Sequence, residues 1–291
     1  MQEYDSLKSE LQAISQSVCA LMQQARNVPA TSDQLFDEWE TACHKIEGQL
    51  EDDLVRVAVV GAIKSGKSTL INAMLAGDYL KRGAGVVTSM VTRLRRGPAL
   101  KARLYFKSWD EVNDDIQRAL TLFPASEWAG RKDAFDIRQA GDRQALKDAL
   151  KNLSTRDLVT NDTRNLNSLT LSAYLEGYEQ VKHILGEDHI IKEFSGPEFA
   201  THQDYSGNDT LAFYLKDIAL EVNSDKIAPN LEIADCQGSD SPNPLHLAMI
   251  QDYLLSANLL VYVISSRTGI RQADINFLSM IRRMGFIEHI I

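Results

Sequence analysis

With 291 residues, 44% of them apolar and 24% charged, the chain has the composition of a soluble globular protein of one large domain or two smaller ones, able to bury a core without staples. A formal charge of -9 at pH 7 argues against nucleic acid as the main partner, because the field of the whole chain repels a phosphate backbone. Three cysteines, Cys19, Cys43 and Cys236, lack metal spacing, and the start Met1–Asp5 lacks a basic-then-apolar leader, so a reducing, cytoplasmic setting is expected. The longest apolar stretch, Leu254 to Ile264, is too short to span a bilayer, and any membrane contact is expected to be peripheral.

In chain order, Leu7, Leu11, Ile14, Val18 and Leu21 recur at four- and three-residue steps and predict one amphipathic helix. Pro29 ends it. Thr31 with Gln34 reads as a capping box, and Leu35, Trp39, Ala42, Ile46 and Leu50 predict a second helix. The pattern is equally compatible with two helices packed on a main domain and with part of a larger bundle. Residues 1–53 are therefore set apart as an N-terminal helical segment.

At Leu54 the pattern changes. The apolar run Leu54–Val60 leads into Gly61-Ala62-Ile63-Lys64-Ser65-Gly66-Lys67-Ser68-Thr69, a complete phosphate-binding loop of the form Gly-x-x-x-x-Gly-Lys-Ser. Its glycines let successive backbone N–H groups turn toward phosphates, Lys67 supplies a point charge to the β/γ oxygens, and the Ser68 hydroxyl is a magnesium ligand. A helix from Lys67 to Leu75 adds its positive end. The chain is thus expected to bind a nucleoside triphosphate.

Beyond the loop Leu80–Ser89, strands are predicted near Met90–Arg96 and Leu100–Phe106, joined at Gly97-Pro98 as a hairpin. Helical spacing then runs through Val112, Ile116, Leu120 and Phe123, through Leu146, Leu150 and Leu153, and through Leu171, Leu175, Tyr178, Val181 and Leu185. Gly196–Thr210 reads as a loop. Strands return at Tyr214–Val222, Leu231–Ala234 and Leu259–Ser265, helices at about Leu245–Leu255 and Ala273–Met284, and a last apolar run at Phe286–Ile291. The alternation predicts an α/β fold, a mixed and mostly parallel sheet with helices on both faces.

Asp235-Cys236-Gln237-Gly238 stands at the end of one predicted strand, where such proteins need a carboxylate near magnesium and a glycine N–H that senses the γ-phosphate. Thr88 fits the residue that completes the magnesium shell and positions the attacking water, with Thr92 as the competing candidate. Cys236 is expected to be buried filler rather than a redox thiol. The basic group Lys81, Arg82, Arg93, Arg95 and Arg96 suits either an anionic lipid or a solvated strand face. The six histidines show no ligand spacing.

At these residues the chain resembles the dynamin family, and more narrowly the bacterial dynamin-like GTPases. The resemblance lies in Gly66–Gly77, in Gly85-Val86-Val87-Thr88 followed by Thr92–Arg95, in Tyr214–Val222 before Asp235-x-x-Gly238, and in Asn258–Ser266. It covers most of 54–291 and implies a GTPase domain, with GTP or GDP and magnesium as ligands. The long helical insert, about 107–210, is too large for a plain connection and is absent from small Ras-like GTPases. The resemblance also implies hydrolysis, pairing of GTPase domains, and membrane remodelling by the complete protein. A slow or non-hydrolysing interaction module and a ribosome-associated GTPase are the alternatives.

Three departures bear on the rate. Ile63 stands where eukaryotic dynamins have Gln, Gln237 replaces the usual Pro, and Ser239 follows Gly238 where Ras-like proteins have the catalytic Gln. No Asn/Thr-Lys-x-Asp, which reads guanine, occurs, so the chain is expected to stop within the GTPase domain and to select guanine weakly. Lys64 matches the position of a cation-holding Ser in dynamins and of an Arg finger in guanylate-binding proteins and atlastins. It is a candidate catalytic residue beside Lys67 and Thr88.

Overall fold

The computed structural model describes residues 2–25, 39, 41, 43, 48, 54–62, 64–81, 90–121, 135–152, 162–236, 250 and 253–285. The chain divides into two units, Met1–Leu54 and Val55–Ile291.

In the first unit, helix α1 spans Gln2–Ala25. Its inward line is Ser15 and Met22, both buried, with Lys8, Gln12 and Cys19 half-buried, and the Ser15 hydroxyl donates to the Cys43 carbonyl at 3.4 Å. The predicted apolar seam lies one residue away: Leu11, Ile14, Val18 and Leu21 are exposed. Consecutive residues sit about 100° apart around a helix, so this one-residue offset turns the seam outward. Of the second predicted helix, Trp39, Thr41, Cys43 and Gly48 are helical and the rest lies outside the described residues.

The second unit is α/β. Its strands are β1 (Val55–Val60), β2 (Val91–Arg96), β3 (Lys101–Phe106), β4 (Ile191–Ser195), β5 (Leu215–Val222), β6 (Leu231–Cys236) and β7 (Leu259–Tyr262), in the sheet order β4-β3-β5-β2-β6-β1-β7. β1 runs parallel to both β6 and β7, and β2 runs parallel to β5 but antiparallel to β6. β3 lies antiparallel to β4 and β5. The helices with described bounds are α2 (Lys67–Leu75), α3 (Trp109–Thr121), α4 (Ala140–Asn152), α5 (Asp162–Val181), the short α6 (His202–Ser206) and α7 (Gln272–Arg283); of the helix expected at about Leu245–Leu255, Ile250, Tyr253 and Leu254 are helical, and 245–249 and 251–252 lie outside the described residues.

The predicted hairpin is not formed, because β5 lies between β2 and β3. Gly97 carries the chain over the end of β5: its N–H donates to the Val222 carbonyl at 3.0 Å, and a Cβ there would come within 2.7 Å of Glu221 Cβ. The Gly-Pro signal marks a crossover rather than a tight turn. Gly196–Thr210, read as a loop, instead forms a 3₁₀ turn (Gly196–Thr201) and α6. β4 answers to no predicted element, since a five-residue edge strand reading Ile-Lys-Glu-Phe-Ser is too charged and short to stand out.

One face of the sheet buries Val59, Leu94, Ala102, Leu104, Phe106, Ile218, Leu220 and Ile233 under side chains of α2, α3, α4 and α5, including Ile71, Ile116, Leu146 and Tyr174. The opposite face is covered across β6, β1, β7 and the start of β2, where Ala58, Val60, Val91, Ala234 and Leu260 meet Ile250, Leu254, Phe277 and Ile281. Across β2, β5, β3 and β4 that face carries charges paired from strand to strand. Arg93 pairs with Asp217, Arg103 with Glu193 and Glu221, and Lys101 with Glu193. The expected mixed sheet flanked by helices is thus the observed one. Arg95 and Arg96 also meet carboxylates, Glu232 and Asp225, so the basic strand face is neutralised from within.

Candidate functional site

β1 delivers the chain to the phosphate-binding loop at the edge where β6 and β7 also end. Gly61 has φ 149°, and a Cβ there would lie 2.3 Å from the Val263 carbonyl oxygen, so only glycine lets the loop pass this close to the end of β7. Lys64 has φ 63° and its side chain is exposed, a left-handed backbone unusual for a residue with a Cβ. The Ser65 N–H donates to the Ala62 carbonyl at 3.1 Å, closing the turn. Gly66, φ 104°, caps α2 without a side-chain hydrogen bond, which leaves the first-turn N–H groups facing out of the helix.

Lys67 is 7% exposed and its ammonium donates to the carbonyls of Gly61 and Ala62, both at 3.0 Å. The Ser68 hydroxyl donates to an Asp235 carboxylate oxygen at 2.5 Å, joining residues far apart in sequence at the mouth of the loop. Burial pushes the Asp235 carboxyl above its ordinary range, against the Ser68 hydrogen bond and the Lys67 charge that pull it down. Thr69 is exposed on the first turn of α2. Thr88, Gly238, Ile63, Gln237 and Ser239 lie outside the described residues.

These residues suit a phosphate chain with a divalent cation. An uncapped helix start and a buried Ser65 hydroxyl with no hydrogen-bond partner offer donors to an anion. A serine hydroxyl touching a buried carboxylate is the hard oxygen pair that magnesium prefers, and Ser68 and Asp235 would hold it.

Thr92 sits inside β2, opposite Asp235 on the β6 ladder and paired with Ile218 of β5. A residue fixed in two ladders does not suit a mobile switch. Cys236 is fully buried, and burial together with the Asp235 charge pushes its thiol well up, so it is inert filler.

Sequence reading missed the residues that fix the chain just after α2. Asn72, 1% exposed, accepts from the N–H groups of Tyr79 and Leu80 and donates to the Leu80 carbonyl and the Asp78 carboxylate. From the other side, His202 and Gln203 reach the carbonyls of Asp78 and Tyr79. A polar residue on the buried line of α2 was the available signal for Asn72. Nothing in the sequence spacing marks His202.

A family model described as the dynamin family matches residues 57–284. Dynamin-like protein 1 of Campylobacter jejuni subsp. jejuni serotype O:23/36 (strain 81-176) is 20% identical over 224 residues, 76% of this chain and 24% of that protein. Isoniazid-induced protein IniC of Mycobacterium tuberculosis is 34% identical over 74 residues, 25% of this chain and 15% of its own length. The chain thus spans about a quarter or less of these relatives. Two solved structures, of an oligomerised bacterial dynamin pair described as a mechanism for sensing and tethering membranes, align over 94% of this chain and 36% of theirs. Their TM-scores are 0.46 and 0.47, at 16% and 15% identity.

Proposed function

The chain belongs to the dynamin family, and from that premise we propose that it binds and hydrolyses GTP and that the complete protein couples nucleotide-driven self-association to membrane remodelling. The observation that carries the nucleotide part is the meeting of Ser68 with Asp235 beside an uncapped helix start. Lys67 already bridges loop carbonyls at the site's floor and is assigned the β/γ oxygens. Ser68 would hold magnesium directly and Asp235 through water. Magnesium, when bound, neutralises charge on the phosphate oxygens. Thr88 is assigned the last magnesium contact and the backbone that orients the attacking water, and Gly238 the amide that senses the γ-phosphate.

Lys64 is assigned the charge that builds on the β–γ bridging oxygen as the phosphoryl group departs, in place of the missing Gln. Its left-handed backbone supports the assignment, because strained conformations gather at sites where a side chain must be aimed. Lys64→Ala is expected to lower kcat by about tenfold or more with little change in nucleotide affinity, and the wild-type rate to be indifferent to potassium against choline salts. An unchanged kcat returns Lys64 to the solvated surface. Membrane contact and self-association rest on kinship and on the exposed seam of α1, which fits one member of a helical bundle completed by further helices. Among the described residues no helix is long and apolar enough to cross a membrane.

A further inference from the structure

Among the described residues β7 is the outermost strand, paired to β1 and to no other. It is four residues long, and its last residue, Tyr262, lies opposite Val60, the residue before the phosphate-binding loop. Just beyond, the Val263 N–H donates to the Val60 carbonyl at 2.8 Å, and the Val263 carbonyl fills the place that a Cβ on Gly61 would need. The Gly61 carbonyl in turn receives the Lys67 ammonium at 3.0 Å. The end of β7 is thus the wall against which the loop begins. Held by one neighbouring strand, such a wall needs a second support.

That support comes from α7. The Tyr262 hydroxyl donates to Asp274 Oδ1 at 2.7 Å, and the Arg271 N–H donates to Oδ2 of the same carboxylate at 2.8 Å. One side chain, 2% exposed, therefore holds both ends of 263–270, the segment that joins β7 to α7. Capping α7 would need only the bond to Arg271. The Tyr262 ring packs on Phe277 with centroids 6.0 Å apart, a contact that phenylalanine would make as well. What the hydroxyl adds is a hydrogen bond to a buried carboxylate, one of the stronger kind. Contacts then run without a gap from Asp274 through Tyr262, Val263 and Gly61 to Lys67. We propose that Tyr262 and Asp274 are positioning residues for nucleotide binding: the bond between them fixes the end of β7 and, through the Val263 carbonyl, the place where the phosphate-binding loop starts.

The proposal rests on the reading of that loop as a nucleotide site. In the full-length protein, Tyr262→Phe is expected to raise the Kd for GDP and for a non-hydrolysable GTP analogue by about tenfold. KM for GTP should rise to the same extent with kcat at saturation unchanged, since the loop then spends only part of its time in the binding arrangement. Asp274→Ala should weaken binding at least as much, and the double variant no more than Asp274→Ala alone. Without nucleotide, hydrogen exchange of the Val263 amide should speed up in Tyr262→Phe while the amides of β6 keep their wild-type rates. Ile281→Val trims the same apolar cluster one turn beyond Phe277 and is expected to lower Tm with affinity unchanged.

Wild-type affinity in Tyr262→Phe would overturn the proposal and leave the nucleotide site standing. So would additivity in the double variant, unchanged exchange at Val263, or an equal loss of affinity in Ile281→Val, which would show that affinity merely follows stability. If the wild-type protein itself binds neither nucleotide, the reading of the loop fails and the proposal with it.

Discussion

The two halves of the sheet are built on different terms. Across β6, β1 and β7 both faces are buried, and the strands run parallel and end together at the phosphate-binding loop. Across β4, β3, β5 and β2 one face is as well buried as any core, while the other shows side chains of Arg93, Asp217, Arg103 and Glu193 that keep between 25% and 45% of their exposure. Burial holds Lys67 and Asp235 at the site, whereas a face of paired charges needs only strand pairing and alternation. The strands that lead to the phosphate-binding loop are packed on both faces, and among the described residues the rest of the sheet is packed mainly on one.

Substitutions on β3 test this directly, because adjacent residues fall on opposite faces. Leu104→Ala is expected to cost about 2–5 kcal/mol in urea unfolding, since Leu104 is wholly buried in the main apolar cluster. A loss no larger than that at its neighbour Arg103 would end the distinction between the faces. Next in size is Lys67→Ala in the other half. It should lower triphosphate affinity by on the order of 100-fold in a fluorescent-nucleotide titration, because the hydrogen bonds of a buried charge are lost. Near-normal GTP binding would remove the site from this loop.

Gly97→Ala should destabilise by about 1–3 kcal/mol, the cost of overpacking against Glu221 Cβ. A neutral result would mean that the crossover is looser than the 2.7 Å approach implies. Asp235→Asn should act in the opposite sense. A carboxyl whose folded pKa is raised by burial weakens the fold once pH exceeds that raised value, and the penalty vanishes below the ordinary carboxyl range. The nucleotide-free variant is therefore expected to unfold at higher urea than wild type at pH 7 and at the same urea near pH 3, while magnesium-dependent GTP binding is lost. Lower stability at pH 7 would contradict this. Arg103→Ala closes the series, at roughly 1 kcal/mol or less, because its partners are half-exposed.

What the sequence disclosed follows the same division. The half around the phosphate-binding loop was legible: the run before Gly61, the loop itself, and Asp235 at a strand end all appear as short motifs, and the fold places Ser68 against Asp235. The other half was read less well. Nothing local says that Tyr214–Val222 inserts between β2 and β3, because pairing partners distant in sequence leave no mark on Gly97-Pro98. The α1 seam was found by its spacing, but spacing does not say which line of a helix faces inward within a chain. His202 and Gln203 escaped for the same reason, since the carbonyls they touch lie more than a hundred residues away.

The antiparallel pairing of β2 with β6 sets Val91 opposite Cys236 and Thr92 opposite Asp235. The start of β2 and the end of β6 therefore lie side by side. Length is therefore constrained unequally along the chain. Residues gained or lost in the insert alter a connection, whereas one residue gained or lost in β2 or β6 would slide the ladder by about 3.4 Å and turn every following side chain to the other face. Homologues of this domain should keep the count from Val91 to Arg96 and from Leu231 to Cys236 unchanged.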